Sequence, residues 1–175
     1  MHHMNVAKTP LLSIGLVALM IFSAHAQSSI ATPSILTRLE GHWQSTGTSF
    51  GNAADITMAW QPILQNAFMQ ISYKVTMHTP KNGDQVFEGT GLYRQDSVHH
   101  HTATWADSQG ELHPITAVDD GTMLSSQWGV SGKKLGKTLY RFADDNTVEV
   151  VDFIQKKDGS WKEFSRNIFK RELKK

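Results

Sequence analysis

Lys137-Thr138-Leu139-Tyr140-Arg141-Phe142-Ala143-Asp144-Asp145-Asn146-Thr147-Val148-Glu149-Val150-Val151-Asp152-Phe153-Ile154-Gln155 is the stretch that decides the fold. Residues 137–143 and 147–155 are rich in branched and ring side chains, which suit a pleated, half-buried backbone, and both runs read as β-strands. Asp144-Asp145-Asn146 between them tolerates the positive φ of a tight turn. Two strands joined so closely pair antiparallel.

The same rhythm extends to both sides. Further strands are predicted at 41–50, 54–61, 67–78, 85–94, 98–106, 111–118, 122–129 and 160–173, about ten in all. They are punctuated by Lys81-Asn82-Gly83-Asp84, Asp119-Asp120-Gly121 and Lys156-Lys157-Asp158-Gly159. Residues 129–136, rich in Gly and Lys, read as a loop. An up-and-down sheet of this length exposes two edges unless it closes on itself. The fold class is therefore all-β, an antiparallel up-and-down barrel of about ten strands. Such a barrel encloses more room than the eight-stranded kind that just holds one small ligand, so a cavity is expected. One short helix is predicted over 34–40, with Thr32-Pro33 or Ser34 as its cap and Ile35, Leu36 and Leu39 as its apolar face; it is placed to plug one end.

Residues 1–26 carry Lys8, an apolar run over 11–22 and the small-x-small ending Ala24-His25-Ala26, the pattern of a signal peptide that is removed. The run is too short to cross a hydrocarbon core of roughly 30 Å. The expected product, from Gln27 on, is periplasmic or secreted, with an N-terminal segment at 27–40 and a single barrel domain at 41–175. Of the 17 Lys and Arg, Lys8 is the one in the leader, which leaves 16 against 16 Asp and Glu. That balance gives no basic stripe for nucleic acid, and no later segment suits membrane insertion. With no cysteine there is no disulfide framework, and the core alone must hold the chain. A monomer or weak dimer is expected.

Gly41-His42-Trp43, Phe87-Glu88-Gly89-Thr90-Gly91-Leu92-Tyr93-Arg94, Trp105-Ala106-Asp107-Ser108-Gln109-Gly110, Pro114, Gly136-Lys137-Thr138-Leu139-Tyr140 and Asp158-Gly159-Ser160-Trp161 occur in this order. Taken together they resemble an uncharacterised family of exported bacterial proteins with a lipocalin-like (calycin) β-barrel. The resemblance covers nearly all of the chain after residue 26 and implies the fold, with the Trp43 ring closing one end. It carries no catalytic residue. The last strand, 164–171, has no histidine of the kind that holds haem in nitrobindin-like barrels. Its Arg166-x-Ile168 stands where fatty-acid-binding barrels have Arg-x-Tyr.

Pairing the last hairpins through their turns sets Tyr140 opposite Glu149 and Glu149 opposite Arg166, beside Phe142, Val151, Phe153 and Phe164. If that face looks inward, Arg166 and Tyr140 grip the polar end of a ligand. If it looks outward, Glu149 and Arg166 are an ordinary surface ion pair. Trp60, Trp105 and Trp128 are the candidate pocket walls, whereas Trp43 and Trp161 read as packing. His99 and His101 with His113 suggest zinc, but a turn at 107–110 sets His113 opposite Thr104 and on the face of His100, out of phase; solvated histidines are the other reading. Asp55, Asp96, Asp107 and Asp152 form no pair that the spacing places in one site. There is no nucleophile elbow, no phosphate-binding loop and no cofactor motif. The function these residues support is reversible binding of a small, largely apolar molecule inside the barrel. The alternatives are an isomerase, cyclase or metal-assisted hydrolase in the same cavity, or carriage of haem or another tetrapyrrole.

Overall fold

The computed structural model describes residues 34–173; the signal peptide expected at 1–26 lies outside them. A short helix α1 (Ile35–Leu39) leads into ten strands: β1 (Gly41–Ser49), β2 (Asn52–Ile63), β3 (Phe68–Thr79), β4 (Gly83–Ser97), β5 (His100–Asp107), β6 (Leu112–Asp119), β7 (Met123–Gly129), β8 (Leu135–Asp144), β9 (Thr147–Gln155) and β10 (Trp161–Arg171). Each strand pairs with its sequential neighbours. β10 closes the circle on β1 through Trp43↔Arg171 and Gln44↔Lys170, giving a closed antiparallel barrel. The strand count and order agree with the sequence reading. The largest difference is β4, which extends from Gly83 to Ser97 because the long β3 keeps pairing with it as far as Thr79↔Gly83. The β2–β3 connection contains no glycine, yet Leu64, Gln65 and Asn66 take φ of 50°, 58° and 66°. Among the described residues no helix is long and apolar enough to cross a membrane.

One end is closed by α1. Ile35, Leu36 and Leu39 are buried against Trp43, and the Trp43 indole N–H donates to the Leu39 carbonyl at 2.8 Å, as a buried indole requires a partner. Two arginines fasten the plug. Arg38 donates to the Gly121 carbonyl at 2.8 Å and lies 4.1 Å from the Phe142 ring centre. Arg171 donates to the carbonyls of Arg38 at 2.7 Å, Asp145 at 3.1 Å and Glu40, and stacks 4.0 Å above Trp43. The expected side-chain cap does not form: the Ser34 hydroxyl makes no cap hydrogen bond and is buried without a partner. Above the plug, Met58, Trp60, Ile71, Tyr93, Leu124, Tyr140, Val148, Val150 and Phe169 fill the interior. This half is a packed core.

Candidate functional site

Toward the other end the interior changes character. The registers Ser126↔Thr138, Thr138↔Asp152 and Asp152↔Ser165 run straight across β7, β8, β9 and β10. They set a polar rung on the inner wall, which buried Asn167 extends by donating to Ser165 Oγ at 3.0 Å. Its members are joined: Thr138 Oγ1 donates to Asp152 Oδ1 at 2.7 Å, Trp128 Nε1 donates to Thr138 Oγ1 at 3.2 Å, and the Tyr93 hydroxyl donates to Ser126 Oγ at 3.1 Å. Side chains alternate along β9, so Val148, Val150, Asp152 and Ile154 point inward and Glu149 points out, whereas β10 is interrupted by a bulge between Glu163 and Ser165.

Two indoles line the wall near this rung. Trp128 lies over Gly136, where a Cβ would come within 2.1 Å of its six-membered ring; Trp105 lies over Gly89, where the distance would be 2.0 Å. Neither glycine has a positive φ, so each is there for space rather than for a turn. The rings thus lie against glycine backbone along the wall. Tyr73, His113, Trp105, Trp128 and Asp152 are only half-buried although they face inward. An inward residue that water still reaches borders a recess. Tyr73 meets Trp105 edge-on at 6.4 Å, and His113 lies 5.7 Å from Trp128, with its Nε2 2.8 Å from Glu111 at the rim.

Electrostatically the recess is unusual. Desolvation pushes the Asp152 carboxyl up to about 6, and the hydroxyls of Thr138 and Ser165 pull it only part of the way back. Burial also raises the phenols of Tyr73, Tyr140 and Tyr93, the last to about 12, and the charge of Asp152 adds to each shift; all three stay neutral. Among the described residues no Lys, Arg or His forms an ion pair with Asp152, while twelve other ion pairs occur.

The residues named from sequence separate into three groups. Trp105 and Trp128 line the recess. Trp60 and Tyr140 belong to the packed half: Trp60 is 1% exposed, wedged 5.1 Å from Tyr93 and 5.5 Å from Tyr140, and its Nε1 has no partner. Glu149 and Arg166 lie outside the barrel. Glu149 sits opposite Arg141, not Tyr140, and accepts from Arg141 at 3.1 Å and from Arg166, which also holds Glu163 at 2.8 Å. The correction has a physical cause. Bulges between Phe142 and Asp144 and between Glu163 and Ser165 each shift the pairing, and an odd shift moves a whole strand to its other face. Tyr140 and Arg166 therefore cannot grip one ligand. The residue that sequence reasoning left unplaced, Asp152, takes the inward position instead.

The histidines also move. Trp105, not Thr104, pairs with His113, so His113 shares the inner face with His101 rather than with His100. They remain apart, since His101 lies opposite Ala117 and is held by Asp119 at 2.6 Å, with His99 on the other carboxylate oxygen at 3.1 Å. Among the described residues no three His, Cys, Asp or Glu side chains are grouped to hold a metal ion. Two hollows of about 410 Å³ each lie elsewhere, one across the outer faces of β1 to β4 over Ala59, Ser72 and Gly89, the other beside α1 at Leu36, Met69 and Tyr93.

No protein-family model and no curated protein matches the chain. Among solved structures it is similar to the S-type phycobiliprotein lyase of Guillardia theta, with a TM-score of 0.52 over 81% of this chain and 92% of that one, at 10% sequence identity. Identity that low speaks to fold alone, and the fold it speaks to is the lipocalin-like ten-stranded barrel.

Proposed function

We propose that this protein is an exported lipocalin-like carrier that binds one small, largely apolar molecule in the recess at the open end of its barrel. The observation that carries this reading is that Trp105 and Trp128, set against Gly89 and Gly136 on the inner wall, remain only half-buried together with Tyr73 and Asp152. Burial of apolar ligand surface there contributes about 25 cal/mol per Å², and the rung of Ser126, Thr138, Asp152 and Ser165 orients whatever polar group the ligand has. The mechanism is desolvation and orientation without bond-making, with the Thr138 and Ser165 hydroxyls spent on holding the Asp152 carboxylate. The likeness to a phycobiliprotein lyase supports the barrel as a scaffold for this use.

The test is native mass spectrometry of the protein from Gln27 on, followed by denaturing extraction. One organic molecule per chain is the expected result, and loss of that molecule in Trp128→Ala would place it in the recess. A chain that carries nothing, and whose tryptophan emission no apolar probe changes, overturns the proposal. An extract showing a Soret band would identify the ligand as a porphyrin-type tetrapyrrole.

A further inference from the structure

We infer that the recess selects organic cations: a protonated amine on a ring-bearing apolar body, its N–H groups on the Asp152 carboxylate and its body between Trp105 and Trp128. This rests on the binding function proposed above and narrows its ligand class.

Three observations lead to it. Asp152 is half-buried on the inner wall and no Lys, Arg or His among the described residues pairs with it, and a carboxylate that has lost part of its water is costly until a countercharge arrives. Thr138 and Ser165 donate to it, which uses only part of its capacity of about four acceptor positions and leaves the rest for an incoming donor. The surrounding rings add to the same field, since the faces of Trp105, Trp128 and Tyr73 are negative and attract cations.

Among the described residues no unpaired cation competes on the inner face. The groups facing Asp152 from the packed strands are Tyr73 on β3, Tyr93 on β4 and Tyr140 on β8, all neutral. On the same inner face His101 of β5 is committed to Asp119 and His113 of β6 to Glu111, while Arg171 of β10 stands at the plugged end, occupied by three carbonyls. An anionic ligand would meet the carboxylate with nothing to neutralise it. A neutral one would leave the charge buried.

The experiment compares three probes of nearly equal shape on the whole chain: naphthylmethylamine, naphthylmethanol and naphthoate, titrated by tryptophan quenching and calorimetry at about pH 8. A charge-assisted hydrogen bond predicts that the amine binds about tenfold or more tightly than the alcohol, and naphthoate more weakly than either. In Asp152→Asn the amine should fall to the level of the alcohol, with the alcohol unchanged. The unmutated protein gives an independent reading, because the amine-to-alcohol ratio should shrink as the pH is lowered from about 8 to about 5, through the range in which Asp152 takes up its proton. Equal binding of amine and alcohol in both proteins overturns the cation preference while leaving the carrier function intact. An amine preference that survives Asp152→Asn and is flat with pH overturns the role of Asp152. If none of the three probes binds, the carrier function itself fails.

Discussion

At the plugged end of the barrel Trp43 is 1% exposed, locked by the Leu39 carbonyl below and the Arg171 guanidinium above; at the open end Trp105 and Trp128 lie flat on glycines and remain half in contact with water. Both ends are made by the same inward-outward alternation of the same strands. What differs is the residue across from each indole. Trp43 faces Met58 across its pair, a side chain that fills space, whereas Trp128 faces Gly136 and Trp105 faces Gly91, which leave space. A glycine partner alone does not open the wall, since Trp60 is fully buried opposite Gly41 with Tyr93 and Tyr140 packed on it; the space over a glycine stays free only where no neighbouring ring fills it.

The strongest way to break the contrast is at the plug. Trp43→Ala removes a fully buried ring, the hydrogen bond to α1 and the stacking surface of Arg171, and should cost about 3–5 kcal/mol in urea unfolding. Trp128→Ala, at a half-buried position, should cost less than half as much while abolishing probe binding. Equal losses at the two sites would mean that the open half is packed like the closed one.

Asp152 sharpens the contrast through pH. Its folded pKa of about 6 lies above the value near 3.9 of an unfolded chain, so the folded state holds the proton more tightly between those limits. For this group stability is fully present below about pH 4 and is lost as the pH rises through about 6. The loss at neutral pH is on the order of 3 kcal/mol. Asp119, Asp120 and Asp144 act in the other direction: Asp119 is held down by His101, His99 and the Gly121 amide against the upward pull of its own burial, and the other two by turn hydrogen bonds, so their stabilisation is lost as the pH falls through their lowered values. Stability should therefore peak on the acid side of neutrality. Asp152→Asn should be more stable than the natural chain at about pH 8 and equal to it at about pH 4, by urea midpoints at both. A variant less stable at both would show that Asp152 anchors the wall instead of facing an opening.

Gly136→Ala is a smaller and more selective change. The new methyl would sit within 2.1 Å of the Trp128 ring, so the indole must swing off the wall into the recess. The expected cost is about 1–3 kcal/mol, from strain in a site that has somewhere to relax. Probe binding should fall far more than stability does. Unchanged binding would mean that the ring moved outward and that the recess does not depend on it.

These tests rest on positions that were unequally legible in the sequence. The ten strands could be read because branched runs alternate with Asp, Asn and Gly turns, and each turn fixes its hairpin. The inner face of the last strands could not. In β9 the residues Val148, Val150, Val151 and Phe153 put apolar side chains on both faces, so alternation gives no phase there. Unmarked bulges at 142–144 and 163–165 then moved the registers. The pairing of Trp128 with Gly136 was a usable signal: a ring that takes the space over a glycine puts both on one face, which sets the face of β8 and, through Thr138, of Asp152.

The smallest expected effect lies just outside that wall. Arg166 is exposed, tied to Glu149 and Glu163 on the outer surface, and its guanidinium is held firmly charged by those two carboxylates. Exposed pairs of this kind exchange water contacts for ion contacts at almost no net gain, and they weaken further in salt. Arg166→Ala should therefore leave the urea midpoint within experimental error and every probe affinity unchanged, although Arg166 stands only one residue along β10 from Ser165, which bonds Asp152. Because a one-residue slip of β10 would exchange the two, this substitution reads out the register itself. Loss of binding in Arg166→Ala would turn the strand over and return the polar grip to the arginine, whereas loss in Asp152→Asn alone means that the bulge between Glu163 and Ser165 keeps the arginine out and the carboxylate in.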